Sequence, residues 1–173
     1  MAAVALVNSA EAPDSLTTPD DLDAFLAAHP YAGPRVRPAA ELAGVRRLRR
    51  PLRELLTGGR EEAARLVNRI FTEHSVRLQL VRHDGWDYHL HAVDARAPLT
   101  GRIAVATAMA VADLIRAGEL GRLSICADRT CGGIVVDLSR NRSRRFCSVA
   151  CGNRVAAAAY RSRKRDDDAE ANS

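Results

Sequence analysis

The sequence has few aromatic residues, almost no lysine and no long apolar segment. Phe, Trp and Tyr make up 4% of its 173 residues, and Lys164 is the one lysine among 26 basic residues. Because alanine is also abundant, we attribute this bias to coding composition and not to arginine-specific recognition. The longest uncharged apolar run, residues 103–112, is about half of the ~20 residues that a membrane-spanning helix needs. We therefore expect no membrane association.

Signals of secretion and of common enzyme classes are also missing. The apolar start, residues 1–7, has no positively charged region before it and is too short for a secretory signal peptide. The sequence has no glycine-rich phosphate loop, no nucleophile elbow and no repeat of fixed period. These absences predict a cytoplasmic protein that is not an enzyme.

Positive charge is concentrated near the C-terminal end. Residues 1–120 contain 15 basic and 15 acidic residues, whereas residues 121–173 contain 11 basic and 6 acidic ones and carry the whole net charge of +5. Between residues 122 and 165 the ratio is 11 to 2. This asymmetry points to an acidic partner, and first of all to nucleic acid. DNA is favoured over RNA because stacking aromatics are nearly absent from this segment.

The first 120 residues have the pattern of a helical domain with one β-hairpin. Apolar residues recur at spacings of three and four in several segments, which is typical of amphipathic helices. A first short helix is predicted to start at Pro19, with Thr18 as its cap. Three further helices are predicted over residues 42–56, 60–74 and 98–117. Pro51 is expected to kink or split the second of these helices. Alternating apolar residues on both sides of Asp84–Gly85 predict the hairpin. An α+β domain follows from this pattern.

Four cysteines lie within the basic segment and have the spacing of a zinc site. Two close pairs, Cys126 with Cys131 and Cys147 with Cys151, are separated by 15 residues. Such pairs are typical of a closed tetrahedral, structural Zn²⁺ site, whereas free thiols and disulfides are the alternatives. Residues 134–136 are predicted to form a strand, residues 144–147 the returning strand, and Ser148 the cap of the final helix. This order predicts a small treble-clef-like zinc finger over residues 121–165.

Residues 137–154, DLSRNRSRRFCSVACGNR, closely resemble the signature of the CGNR zinc-finger family. The motif itself is Cys151, Gly152, Asn153 and Arg154. The preceding 120 residues are similar to the ABATE domain that usually accompanies this finger, and LVNS at residues 6–9 is similar to its usual start. The resemblance implies a bacterial, stress-induced transcription regulator that binds zinc through the four cysteines.

The basic side chains of the finger are the candidate DNA contacts. Arginines alternate with Ser and Asn in the turn between the strands, which suits phosphate binding. Asn153 and Arg154 lie so near the metal that they could equally hold the finger together. Val155 and Tyr160 are expected to pack inward, and residues 166–173 to form a disordered acidic tail. The full set of candidate contacts is Arg140, Arg142, Arg144, Arg145, Asn153, Arg154, Arg161, Arg163 and Lys164.

Our leading hypothesis is a two-part regulator that binds DNA through the finger and a small-molecule effector through the first domain. A homodimer would fit this hypothesis, because regulators often read two half-sites. The first alternative is a protein-interaction or dimerisation module without direct DNA binding. The second is a small enzyme that uses Asp87, His89 and His91 around a second metal ion.

Overall fold

The chain folds into two compact units, Met1–Gly121 and Arg122–Ser173. The computed structural model describes residues 2–31, 33–34, 38–82 and 87–171. These residues contain six α-helices and two antiparallel two-stranded sheets, which confirms the α+β class. None of the described helices combines the length and apolar character needed to cross a membrane.

Helix α5 lies at the centre of the first unit. It packs against α3 and α4, while α1 and α2 pack against α3. The bounds of the five helices are Ala2–Asn8 for α1, Pro19–Ala28 for α2, Pro38–Thr57 for α3, Arg60–Glu73 for α4 and Leu99–Arg116 for α5. Fully buried side chains from several helices form the core, among them Leu6, Leu22, Leu55 and Ile103. Helix α1 was not predicted, since six successive apolar residues followed by Asn8 carry no clear period.

The helix ends follow local sequence signals. The Thr18 hydroxyl accepts a hydrogen bond from the Asp21 backbone N–H at 3.1 Å, and the Asp21 carboxylate accepts one from the Thr18 N–H at 2.8 Å. This reciprocal pair is a capping box, as the predicted start of α2 requires. Gly118 follows α5 with a φ of +70°, a backbone conformation that glycine adopts without steric cost.

Pro51 was predicted to kink or split helix α3, and the helix continues through Pro51 without a split. Pro51 is exposed, and water can therefore satisfy the carbonyl that loses its intrahelical donor. Arg49, on the same helix, turns inward. Its guanidinium binds both carboxylate oxygens of Asp14 at 2.8 and 2.9 Å. A buried ion pair thus ties α3 to the segment between α1 and α2.

The apolar spacing of residues 98–117 predicts a core face of Ile103, Ala106, Ala110, Leu114 and Ile115, and the buried face of α5 differs from it. Ile103 is fully buried as expected, but Ala106 and Ala110 are exposed. The inward positions are Arg102, Val105, Ala108 and Val111 among others. Alanine and valine occur all round this helix, so its apolar period could not distinguish the two faces.

The predicted hairpin forms, but its apolar face is open. Strands β1 (Gln79–Val81) and β2 (His89–His91) pair antiparallel, with Leu80 opposite Leu90. Leu80 and Leu90 are 64% and 52% exposed. The predicted turn at Asp84–Gly85 lies outside the described residues. His89 and His91 are two apart in β2 and lie opposite Val81 and Gln79 in the register of the hairpin.

In the second unit, the paired strands are not the predicted pair. After a 3₁₀ turn at Leu120–Arg122, strand β3 (Leu123–Ile125) pairs with β4 (Ile134–Val136). Residues 144–147 form no strand, and β4 pairs with β3. A backbone hydrogen bond from the Ala127 N–H to the Arg145 carbonyl, at 2.9 Å, ties this segment to the loop that follows β3.

Helix α6 (Val149–Ala171) is longer and more exposed than expected. It includes residues 166–171, which the sequence analysis assigned to a disordered tail. Tyr160 is 63% exposed and Val155 half-buried, so the inward packing expected of Tyr160 is wrong. Each residue from 156 to 165 is exposed, since no other part of the second unit covers this length of helix.

Candidate metal centre

The structure brings the four predicted cysteines together. Their Sγ atoms all lie within 4.8 Å of one another, and no pair is joined as a disulfide. The Cys131 and Cys147 sulfurs are 3.5 Å apart, and those of Cys147 and Cys151 are 3.6 Å apart. A tetrahedral Zn²⁺ with bonds of about 2.3 Å requires sulfur atoms about 3.8 Å apart. The site therefore has the size of a tetrahedral zinc site.

The first cysteine pair is held by the loop between β3 and β4. The Cys126 N–H donates to the Gly133 carbonyl at 2.8 Å, and the Cys131 N–H donates to the Asp128 carbonyl at 2.9 Å. A Cβ atom on Gly133 would lie 2.9 Å from the Cys147 Sγ and 3.2 Å from the Cys131 Sγ. Glycine at this position thus leaves room for the sulfurs to converge.

The second pair is held by the start of α6. The Ser148 hydroxyl accepts a hydrogen bond from the Cys151 N–H at 3.2 Å, which is the predicted cap. The same hydroxyl lies 3.3 Å from the Cys151 Sγ, and it lowers the pKa of that thiol. Cys151 is in the first helical turn, where the positive end of the helix dipole also favours a thiolate.

The surroundings of the sulfurs suit metal-bound thiolates. The Gly133 N–H points to the Cys131 Sγ at 3.3 Å, and the Cys147 N–H points to the Cys126 Sγ at 3.5 Å. Burial raises the pKa values of Cys131 and Cys147, which disfavours their thiolates unless a cation is bound. One Zn²⁺ held by all four sulfurs would satisfy these groups. With no coordination position open to substrate, it would stabilise the fold.

Arg154 belongs to the framework of this centre. Its Nε donates to the Asp128 carboxylate at 2.6 Å, and its Nη2 donates to the Cys151 Sγ at 3.2 Å. Asp128 also accepts hydrogen bonds from the backbone N–H and the hydroxyl of Thr130, which lower its pKa to about 2. One guanidinium therefore joins the loop of the first cysteine pair to the helix of the second. Sequence analysis left the role of Arg154 open and missed Asp128, since a lone aspartate carries no recognisable pattern.

A second buried carboxylate organises the turn after β4. Asp137 accepts hydrogen bonds from the N–H and hydroxyl of Ser139 and from the Arg144 N–H. The Arg144 side chain folds back onto the carbonyls of Phe146 and Cys147 at 3.3 and 3.2 Å. Arg122 likewise binds the Asp137 carbonyl at 3.0 Å. The turn is thus fixed by internal bonds, and Arg144 takes part in them.

The remaining candidate DNA contacts lie at the surface. Asp128 and Asp137, the two acidic residues between residues 122 and 165, are 3% and 5% exposed. Both carboxylates are therefore largely buried, and Asp128 is paired with Arg154. The exposed candidate contacts are Arg140, Arg142, Arg145, Asn153, Arg161, Arg163 and Lys164. The only cluster of metal-binding side chains found among the described residues is the cysteine site, and the His89 side chain is outside them.

Comparison with known proteins agrees with the two-part organisation. Residues 122–164 match the CGNR zinc finger. Residues 1–118 match the ABATE family, described as "Putative stress-induced transcription regulator". A search of curated proteins finds no significant match. The ABATE match covers more than half of the chain, and the chain therefore belongs to the ABATE family and continues into a CGNR zinc finger.

Proposed function

We propose that this protein is a cytoplasmic transcription regulator that binds DNA through its second unit. The observation that carries the proposal is the one-sided charge of that unit. Its segment from residue 122 to 165 contains 11 basic residues, whereas both of its carboxylates are buried. A surface with this excess of cations attracts the DNA phosphates and loses affinity as salt is added.

The rigidity of the turn supports phosphate binding at defined positions. Asp137 and the side chain of Arg144 fix the backbone from which Arg140 and Arg142 project. Zinc would hold the segment that follows this turn against the start of α6, so that the turn and the helix keep a constant spacing. Preorganised donors bind with less loss of conformational entropy than donors on a free chain.

The metal centre is compatible with a reducing compartment such as the cytoplasm. The four cysteines are free thiols at zinc-binding distances, and cytoplasmic thiols are normally kept reduced. We assign no reaction to the chain, because zinc bound by four sulfurs has no position left for substrate.

Salt-dependent binding to duplex DNA tests the proposal. We expect the triple variant Arg140→Gln, Arg161→Gln and Arg163→Gln to bind more weakly than the unmodified protein. The slope of log K against log salt should become shallower by about 0.9 for each phosphate that the variant no longer neutralises. Fluorescence anisotropy with labelled duplexes across a salt series measures both quantities.

The control is a triple variant of the first unit in which Arg47, Arg50 and Arg65, all exposed, are replaced by glutamine. It removes the same total charge from the chain. If the two triple variants lose affinity equally, binding follows net charge and the assignment to the finger is wrong. A protein that retains zinc and shows no DNA binding at low salt would also refute it.

A protein partner for α6 is the second candidate. Tyr160 and Val149 are 63% and 80% exposed on this helix, and large exposed apolar side chains are common at interfaces. The partner of α6 could also be a second copy of the chain. Such a dimer would double the number of phosphate contacts in a complex with DNA. Analytical ultracentrifugation of the zinc-loaded protein and of Tyr160→Ser distinguishes a dimer from a monomer. Pull-down of one defined protein without a DNA shift would favour the interaction module.

A further inference from the structure

The β1–β2 hairpin of the first unit concentrates exposed apolar side chains. Leu80 and Leu90 are directly opposite in the register, so they lie on one face of the hairpin. Leu78 and Tyr88 each precede one of them by two residues, a separation of about 7 Å in an extended chain. All four side chains are between 52% and 65% exposed. These four residues are called the hairpin patch below.

The described part of the first unit leaves this hairpin with little cover. Neither strand packs closely along any described helix. Each strand also has an outer edge that no other described strand pairs. A two-stranded sheet is marginally stable alone in water and normally gains a further strand or a covering element. The open face and the open edges therefore favour a surface that another molecule covers.

The hairpin patch is large enough for an interface between two copies of the chain. Side chains of this size offer on the order of 150 Å² or more each, so four that are more than half exposed leave roughly 400 Å² of apolar surface uncovered. Two copies would bury roughly 800 Å² of such surface, and homodimer interfaces are about 65% apolar. The corresponding total is roughly 1,200 Å², which is the lower end of the range for specific interfaces.

We propose that the hairpin patch binds the same patch of a second copy of this chain and forms a homodimer. An apolar surface complements an identical surface because burial of both requires no opposite charge and no matching donor. Twofold interfaces that use one patch twice are also the commonest arrangement in soluble oligomers. Tyr88 suits this role, since tyrosine is enriched at interfaces. The patch belongs to the first unit and is distinct from the exposed Tyr160 of α6.

Sedimentation velocity of the zinc-loaded full chain without DNA, over about 1–200 μM, tests the proposal. We expect a reversible equilibrium between monomer and dimer within this range. Leu80→Ser should raise the dissociation constant at least about tenfold, because a twofold interface contains the substituted side chain twice. Leu80 is exposed in the single chain, so the variant should keep its urea midpoint at concentrations where the protein is monomeric.

The matched control is Leu138→Ser in the second unit. Leu138 is 68% exposed, so this variant removes the same side chain from a site of similar exposure and should leave the dissociation constant unchanged. Amide hydrogen exchange locates the interface. Residues 79–81 and 89–91 should exchange more slowly at about 200 μM than at about 1 μM, and Leu80→Ser should abolish this difference.

Three results would overturn the proposal. If the chain stays monomeric up to about 200 μM, the hairpin patch does not bind a second copy. If a dimer forms and Leu80→Ser leaves it intact, another surface holds it, and dissociation by Tyr160→Ser would assign that surface to α6. Equal weakening by Leu80→Ser and Leu138→Ser would show unspecific association of exposed apolar side chains. Because no DNA is present, these results stand apart from the DNA-binding proposal.

Discussion

Replacing Arg154 by methionine should weaken zinc binding. The side chain makes two bonds at once, to Asp128 at 2.6 Å and to the Cys151 sulfur at 3.2 Å. Methionine keeps much of the side-chain length and the helix propensity but provides no donor. The Asp128 side chain, 4% exposed, would lose its cationic partner, and the Cys151 sulfur would lose a donor that stabilises its thiolate.

Loss of a hydrogen-bonding group next to metal ligands typically lowers metal affinity about 10- to 100-fold. We expect Arg154→Met to fall within that range. Asp128 retains its bonds from Thr130, so the loop of the first cysteine pair should persist in part. Arg154→Lys should recover little, because one ammonium group cannot replace the two separated donors of a guanidinium.

The assay is competition for zinc with a chromophoric chelator at fixed pH, and the control variant is Arg140→Met. Arg140 is exposed on the turn, so its replacement should leave zinc affinity unchanged. If Arg154→Met binds zinc like the unmodified protein but loses DNA affinity, Arg154 acts as a DNA contact and its framework role is wrong. That result would support the DNA-contact role that the positive charge of Arg154 suggests.

Three further predictions concern the core, the metal loop and acid stability. Leu55→Ala should lower the free energy of unfolding by about 2–5 kcal/mol in urea denaturation because Leu55 is fully buried, whereas exposed Leu80→Ala should change it by less than about 0.5 kcal/mol. Gly133→Ala should weaken zinc binding in the chelator assay, since its Cβ would lie 2.9 Å from a ligand sulfur; Gly121→Ala, with open space around its Cβ, should not. Hydrogen bonds from Arg49 hold the pKa of Asp14 well below its usual range, so its stabilisation is present above about pH 4 and lost as the pH falls. Asp14→Asn should accordingly show a smaller loss of the urea midpoint between about pH 7 and about pH 3, and an equal loss would contradict this.

The metal centre was predictable because zinc imposes a spacing on the chain. Two sulfurs can meet at one ion only across a tight turn, so the pairs Cys126–Cys131 and Cys147–Cys151 are visible in the sequence. The cap at Ser148 follows a rule of equally local range. Both features depend on residues that are close together in the sequence, and they can therefore be predicted from a local sequence pattern.

Features that depend on distant partners were missed or misassigned. Residues 144–147 were expected to pair with β4, but β4 pairs with β3, and Arg145 hydrogen-bonds to Ala127 after β3. Asp128 and Arg154 are 26 residues apart, and no local pattern links them. Tyr160 was expected to pack inward, yet the second unit offers nothing to cover it. In each case the position of the residue depends on contacts between segments that are distant in the sequence.

Helix α6 carries its charges in two successive blocks. Arg161, Arg163, Lys164 and Arg165 are followed directly by Asp166, Asp167, Asp168 and Glu170. Residues 149–165 span about 25 Å at 1.5 Å per residue, and only this part attracts a polyanion. In the proposed DNA complex, the acidic block would repel the same polyanion, so the contact between the helix and a DNA backbone would end near residue 165. Under that proposal the order of charges sets a maximum length for the contact, and extending the basic block toward the C-terminus should lengthen the DNA footprint of each chain.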